Sequence, residues 1–192
     1  MKKVVILASL LFGWTQVASG QTGDAAVGEG LVATCSACHS ADGNSAVPTF
    51  PKLAGLGEKY LLKQLKDIRD GARPIPTMVG QVDNMSDQDL ANIAAFYDAQ
   101  PRSGGQADPE LIALGEKVYR AGVAERNVAA CAACHSPNGK GNAPAGFPPL
   151  AGQHADYIAA QLRAYRKGYE LSLIHISEPT RLKTRSRMPS SA

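Results

Sequence analysis

A chain of 192 residues in which 6% are aromatic allows one domain or two small ones, neither with a large aromatic core of its own. The formal net charge of +3 is unevenly placed: Lys2 and Lys3 supply two of the charges, and Leu171 to Ala192 a net three. Gln21 to Glu170 is left mildly acidic, at −2, which gives nucleic-acid binding no support.

Residues 1–20 read as a secretory signal. Lys2 and Lys3 form its basic start, Val4 to Phe12 its apolar run, and Ala18-Ser19-Gly20 a small-residue cleavage site. The apolar run is too short to span a bilayer and no later stretch is long enough, so an exported protein with no membrane span is expected. A helix is expected around Gly28 to Cys35, and a second over "EKYLLKQLKDIRDG", closed by Gly71. Ser86 is placed to cap a third, with Asp89 in its first turn. In "DLANIAAFYDAQ" that follows, Leu90, Ile93, Ala94 and Tyr97 recur at helical spacing. "QPRSGGQAD", Gln100 to Asp108, has the Pro, Gly and Ser content of a linker. Beyond it, Pro109 to Gly122 reads as a helix, and "ADYIAAQLRAYRKG" as another, closed by Gly168. No stretch alternates as a strand should, so the expected fold class is all-α. Charged residues elsewhere in the body of the chain read as solvated helix faces, and His154 as a surface residue.

The two halves repeat each other. "CSACHSADGNSAVPTFPKLAGLGEKYLLKQLKDIRDG" begins at Cys35, and "CAACHSPNGKGNAPAGFPPLAGQHADYIAAQLRAYRKG" at Cys131. One inserted residue brings Phe50, Leu53, Ala54, Gly55, Tyr60, Gln64, Leu65, Arg69 and Gly71 onto Phe147, Leu150, Ala151, Gly152, Tyr157, Gln161, Leu162, Arg166 and Gly168. Upstream, Gly28-Glu29 matches Gly115-Glu116. Two units at this spacing indicate a duplicated domain, because solenoids use shorter periods and more copies.

All four cysteines fall within Cys-x-x-Cys-His: Cys35, Cys38 and His39, then Cys131, Cys134 and His135. Two thiols on one helical turn can add to the two vinyl groups of a haem, and the adjacent His then lies under the iron. A zinc site would use both Cys pairs but gives no reason for the His after each, nor for export. A thioredoxin-like pair needs a βαβ context that is missing here. Structural disulfides suit an exported protein, although a bridge inside Cys-x-x-Cys does little to hold a fold.

With "FPKLAG" and "FPPLAG", "YLLKQLKDIRDG", "SDQDLANIAAFY" and "GFPPLAGQHADY" beside the doubled haem motif, Asp24 to Glu170 resembles the two-haem cytochrome c4 family. The resemblance implies two tandem class I cytochrome c domains packed about a pseudo-twofold axis. It also implies two covalently bound haem c groups and a periplasmic carrier that passes single electrons toward a terminal oxidase without catalysis of its own. Redox proteins, a respiratory donor and a terminal oxidase, are the expected partners, with peripheral membrane association allowed. One alternative is the haem subunit of a sulfide- or alcohol-oxidising complex. Another is a haem enzyme or ligand sensor with an open iron site. The expected division is a signal over 1–20, a first domain over 21–100, a linker over 101–108 and an incomplete second domain over 109–170.

An electron carrier benefits from a six-coordinate iron, and a Met thioether opposite the His raises the potential. Met78 and Met85 are the first-domain candidates. Met78 lies in the Pro/Gly-rich loop "RPIPTMVGQ", whereas Met85 directly precedes the Ser86 cap and reads as a residue packed on its helix. The family pattern also places the ligand eight residues before the Ser of "SDQDL", at Met78. An axial His needs an acceptor for its other ring nitrogen. By resemblance these acceptors are the carbonyls of Pro51 and Pro148. In the second repeat the corresponding Met and capped helix should follow Gly168, and neither is present. The match stops after Glu170, and "LSLIHISEPTR" reads as the direct translation of a transposase adapter used in sequencing libraries. Leu171 to Ala192 is therefore expected to be an assembly artefact, and His175 and Met188 are not expected to be evolved ligands.

Overall fold

The structure is a computed structural model and describes residues 22–166. The signal segment, the Gly168 stop and everything from Leu171 onward lie outside those residues. Seven α-helices are described: α1 (Ala25–Glu29), α2 (Ser36–His39), α3 (Glu58–Arg69), α4 (Asp87–Ala99), α5 (Ile112–Ala121), α6 (Ala132–His135) and α7 (Ala155–Arg166). Single 3-10 turns form at Pro76–Met78, Pro109–Leu111, Ala124–Arg126 and Ala143–Ala145. No strand occurs among the described residues, only isolated bridges at Val123–Val128 and Asn142–Phe147. Residues 101–108 are irregular.

Local chemistry explains most boundaries. The Asp24 carboxylate accepts from the backbone amides of Ala26 and Val27 and so starts α1. The helix expected around Gly28 to Cys35 does not form: α1 ends at Glu29, and turns carry the chain from there to α2. The pair Gly28 and Gly30 weakens propagation between them. Ser86 caps α4 as the sequence indicates: its Oγ accepts from the Asp89 amide at 3.1 Å, and the Asp89 carboxylate accepts from the Ser86 amide at 3.0 Å. This reciprocal pair satisfies two amides that a helix start leaves open. Gly71, at φ +75°, supplies the left-handed residue after α3.

Helix α4 is the centre of the first domain. Leu90, Ala91, Ile93, Ala94, Phe96 and Tyr97 are all buried, over more than half of the helix circumference, because α1 crosses one face and α3 packs against another. Val32, Leu56 and Leu61 complete this core. The α1 crossing is close: a Cβ on Gly28 would sit 2.1 Å from the Asn92 carbonyl oxygen, so glycine is required there. Its counterpart Gly115 on α5 meets nothing within 4 Å among the described residues. On and beside α5, Leu111, Ile112 and Leu114 are exposed.

The repeats meet through equivalent atoms. Arg73 donates to Gln64 Oε1 at 2.7 Å and to Gln161 Oε1 at 2.6 Å, and these glutamines are counterparts in the two repeats. Arg102 donates to the carbonyl oxygens of Ala54 at 2.8 Å and Ala151 at 2.9 Å, again counterparts. Each arginine thus bridges one pair of matched positions. Lys52 and Arg73 are buried, not solvated as expected. Lys52 Nζ donates to Ser103 Oγ and the Gly104 carbonyl, so carbonyl and side-chain acceptors at the junction compensate the desolvated charge.

Candidate cofactor-binding site

Each Cys-x-x-Cys-His folds as a single helical turn, α2 and α6, with the first cysteine just outside it. Its own bonds hold each turn: the His39 amide donates to the Cys35 carbonyl at 2.9 Å, and the His135 amide to the Cys131 carbonyl at 3.0 Å. Ser40 and Ser136 follow with φ of 66° and 67°, a left-handed conformation that turns the chain away directly after each histidine. All four cysteines are free thiols. Among the described residues, no three or more His, Cys, Asp or Glu side chains converge as a metal cluster, which leaves a shared zinc site without support.

The histidines are set alike. His39 Nδ1 donates to the Pro51 carbonyl at 2.9 Å, and His135 Nδ1 to the Pro148 carbonyl at 2.8 Å. These are the acceptors that the resemblance implies. The bond commits Nδ1 to the backbone, so Nε2 is the ring nitrogen able to coordinate a metal. Phe50 stands edge-on to His39 at 6.2 Å between ring centres, and Phe147 to His135 at 6.0 Å. Both imidazoles are buried. Burial lowers the His39 pKa, against the smaller opposing effect of the Pro51 carbonyl, and so favours the neutral ring that a metal requires. Burial also raises the thiol pKa of Cys35 and Cys131.

The methionines separate as the sequence suggests. Met85 packs against the first-domain core. Met78 ends the 3-10 turn at Pro76–Met78, half-buried and outside that core. His154 differs from expectation: it is half-buried, and its Nε2 bonds the Ser45 carbonyl at 2.8 Å across the junction. Its neighbour Gln153, unnoticed in the sequence, pairs with both backbone groups of Lys52. The only signal for either was that the matched repeats differ at these positions.

The donor set fits two covalently held haems. Each repeat offers two free thiols on one turn and an imidazole whose orientation is fixed by a carbonyl. Arg102 Nη2 at the junction is also buried with no hydrogen-bond partner among the described residues. An orphaned buried donor costs about 1–3 kcal/mol unless a further group accepts from it, and a haem carboxylate is such a group.

The cytochrome c family model matches residues 25–98 and 112–191, once for each repeat. Cytochrome c4 of Pseudomonas aeruginosa is 52% identical over 168 residues, covering 88% of this chain and 83% of its own. Cytochrome c4 of Azotobacter vinelandii is 49% identical over 177 residues, with 88% and 84% covered. The crystal structure of reduced recombinant cytochrome c4 from Pseudomonas stutzeri superposes with a TM-score of 0.78 at 49% identity. That match covers 80% of this chain and 88% of the other.

Proposed function

The chain belongs to the cytochrome c family, as a dihaem electron-transfer cytochrome of class I fold, and from that premise we propose that it is a periplasmic shuttle between a respiratory donor and a terminal oxidase. Haem iron, when bound, takes up and releases one electron. Each haem would be held through Cys35 and Cys38 or Cys131 and Cys134, with His39 and His135 as iron ligands oriented by the Pro51 and Pro148 carbonyls. Met78 would supply the remaining ligand to the first haem iron. The placement of Met85 in the core supports this, because it leaves Met78 as the loop thioether. The shuttle carries out no catalysis of its own.

The observation that carries the reading is the doubled histidine setting, with the same partner and nearly the same geometry in both repeats. An enzyme that binds substrate at iron needs one open coordination position, and the Met78 thioether in the loop before α4 argues against one in the first domain. No helix among the described residues is long and apolar enough to cross a membrane. The proposed domains are 21–100 and 109–170, joined through 101–108 and preceded by a cleaved signal over 1–20. Leu171 to Ser191 lies inside the family-model match, yet we propose that Leu171 to Ala192 is adapter-derived. Re-sequencing the locus across the Glu170 codon tests this, and recovering the segment from intact genomic DNA contradicts it. Reduced spectra with and without carbon monoxide test the carrier reading: the first haem should not respond, and a response there would favour an open-site protein.

A further inference from the structure

We infer that Gln153, a second-repeat residue, sets the electron-donating strength of His39, the first haem's histidine, through a single peptide group. The inference rests on the ligand assignment proposed above. The Pro51 carbonyl and the Lys52 N–H belong to one amide. On one side the carbonyl accepts from His39 Nδ1 at 2.9 Å. On the other the N–H donates to Gln153 Oε1 at 2.9 Å. The Gln153 Nε2 amide returns a bond to the Lys52 carbonyl, also at 2.9 Å, so the side chain pairs with Lys52 as a neighbouring strand would. Its Oε1 additionally accepts from the His154 amide at 3.0 Å, which helps fix the side chain.

Hydrogen bonds in series polarise one another in a low-dielectric setting. Accepting from the Lys52 N–H draws electron density through the amide toward the Pro51 oxygen and makes it a stronger acceptor. A stronger acceptor on Nδ1–H increases the basicity of the imidazole. A more basic ligand stabilises the oxidised iron, so Gln153 lowers the reduction potential of the first haem.

The second repeat cannot return the effect, for two reasons visible in the sequence. Pro148 also accepts from its histidine, but the next residue is Pro149, which has no N–H to extend the chain. The counterpart of Gln153 is Leu56, an apolar residue buried in the first-domain core. The coupling therefore runs one way, from the second domain to the first haem. It also depends on the domains being docked, because no atom of the first domain supplies the Gln153 amide.

The test uses the dihaem holoprotein, with each haem followed separately by NMR during a redox titration. Gln153→Ala should shift the first haem toward the reduced form about threefold or more, where tenfold corresponds to about 59 mV for a one-electron couple. The His39 Nδ1–H resonance should move upfield, while the second haem and the His135 resonance stay in place. Gln153→Glu, a stronger acceptor, should shift the first haem and His39 the opposite way. Shifts of the same sign in both variants would show loosening of the junction and overturn the inference. Equal shifts at both haems, or an unmoved His39 resonance, would overturn it too. The unsubstituted reduced protein checks the ligand assignment first: His39 ring protons lacking the shifts of a haem-bound imidazole refute that assignment, and the tuning with it. If they have those shifts and the variants leave the potentials unchanged, only the tuning fails.

Discussion

Replacing Gly28 by Ala probes the packing that holds the first domain together. The added Cβ would lie 2.1 Å from the Asn92 carbonyl oxygen, 2.7 Å from its carbon and 2.8 Å from Phe96 Cβ. Carbon contacts are comfortable near 3.5 Å or beyond, so α1 must retreat from α4 by about 1 Å. Overpacking of this kind costs about 1–3 kcal/mol. The retreat also stretches the 2.9 Å bond from the Asp24 amide to Asn92 Oδ1, a loss of about 1 kcal/mol. Alanine's better helix propensity returns up to about 1 kcal/mol. The net cost is then about 1–3 kcal/mol, and a domain of this size loses roughly 4–8 °C of melting midpoint for each kcal/mol. Thermal unfolding of the holoprotein, followed by circular dichroism and haem absorbance, should show the first-domain transition lowered by roughly 5–20 °C. Gly30, two residues on, provides the control. Its added Cβ would meet only the Val27 carbonyl oxygen, at 3.5 Å, and its φ is −69°. Gly30→Ala should be neutral, or stabilising by up to about 1 kcal/mol through the unfolded chain. A Gly28→Ala midpoint within a degree or two of the parent, or equal damage from Gly30→Ala, would refute the close-crossing argument.

Other expectations follow from the site and its surroundings. Met78→Ala should remove the first haem's share of the weak sulfur-to-iron band of the oxidised spectrum and lower its potential; Met85→Ala should weaken folding by about 2 kcal/mol or more and spare the band. The opposite pattern reverses the ligand assignment. Replacing Cys35 and Cys38 together by Ala should leave the first domain largely unfolded, because so small a domain buries little surface without its haem; native helicity by circular dichroism in the haem-free variant would contradict this. The hydrogen bonds from Lys66 and Arg69 hold the Asp87 carboxyl below its usual range. A depressed folded-state pKa contributes stability above the unfolded value, near 3.9, and loses it as pH falls through the folded value. The stability gap between parent and Asp87→Asn should therefore close on acidification below about pH 4, and a gap that stays constant to lower pH would show that the ion pairs contribute nothing.

Features with local causes were the legible ones. The Ser86 cap, the Gly71 stop and the helix over Glu58–Arg69 depend on nearby residues, and each lies where the sequence places it. The haem motif was equally legible, because two thiols and a histidine within one turn need no tertiary context. The helix before Cys35 was misplaced, since its start depends on Asp24, and Asp24 is in turn held by Asn92 from α4. The burial of Lys52, Arg73 and His154 is not legible locally because their partners come from the linker or the other repeat, 51 to 109 residues away. The repeat alignment did contain a trace of this junction. Lys52 faces Pro149 and Leu56 faces Gln153 at positions where neighbouring residues agree. A mismatch inside a matched repeat marks where the copies diverge, but it does not say what each residue touches.

The central claim is that both repeats carry haem covalently and that each haem passes one electron. Intact mass of the purified protein after acid–acetone extraction, combined with a reductive titration of the same sample, tests it most directly. The account predicts two haems retained per chain and two electron equivalents taken up. Release of either haem on extraction, or uptake of a single equivalent, would contradict it.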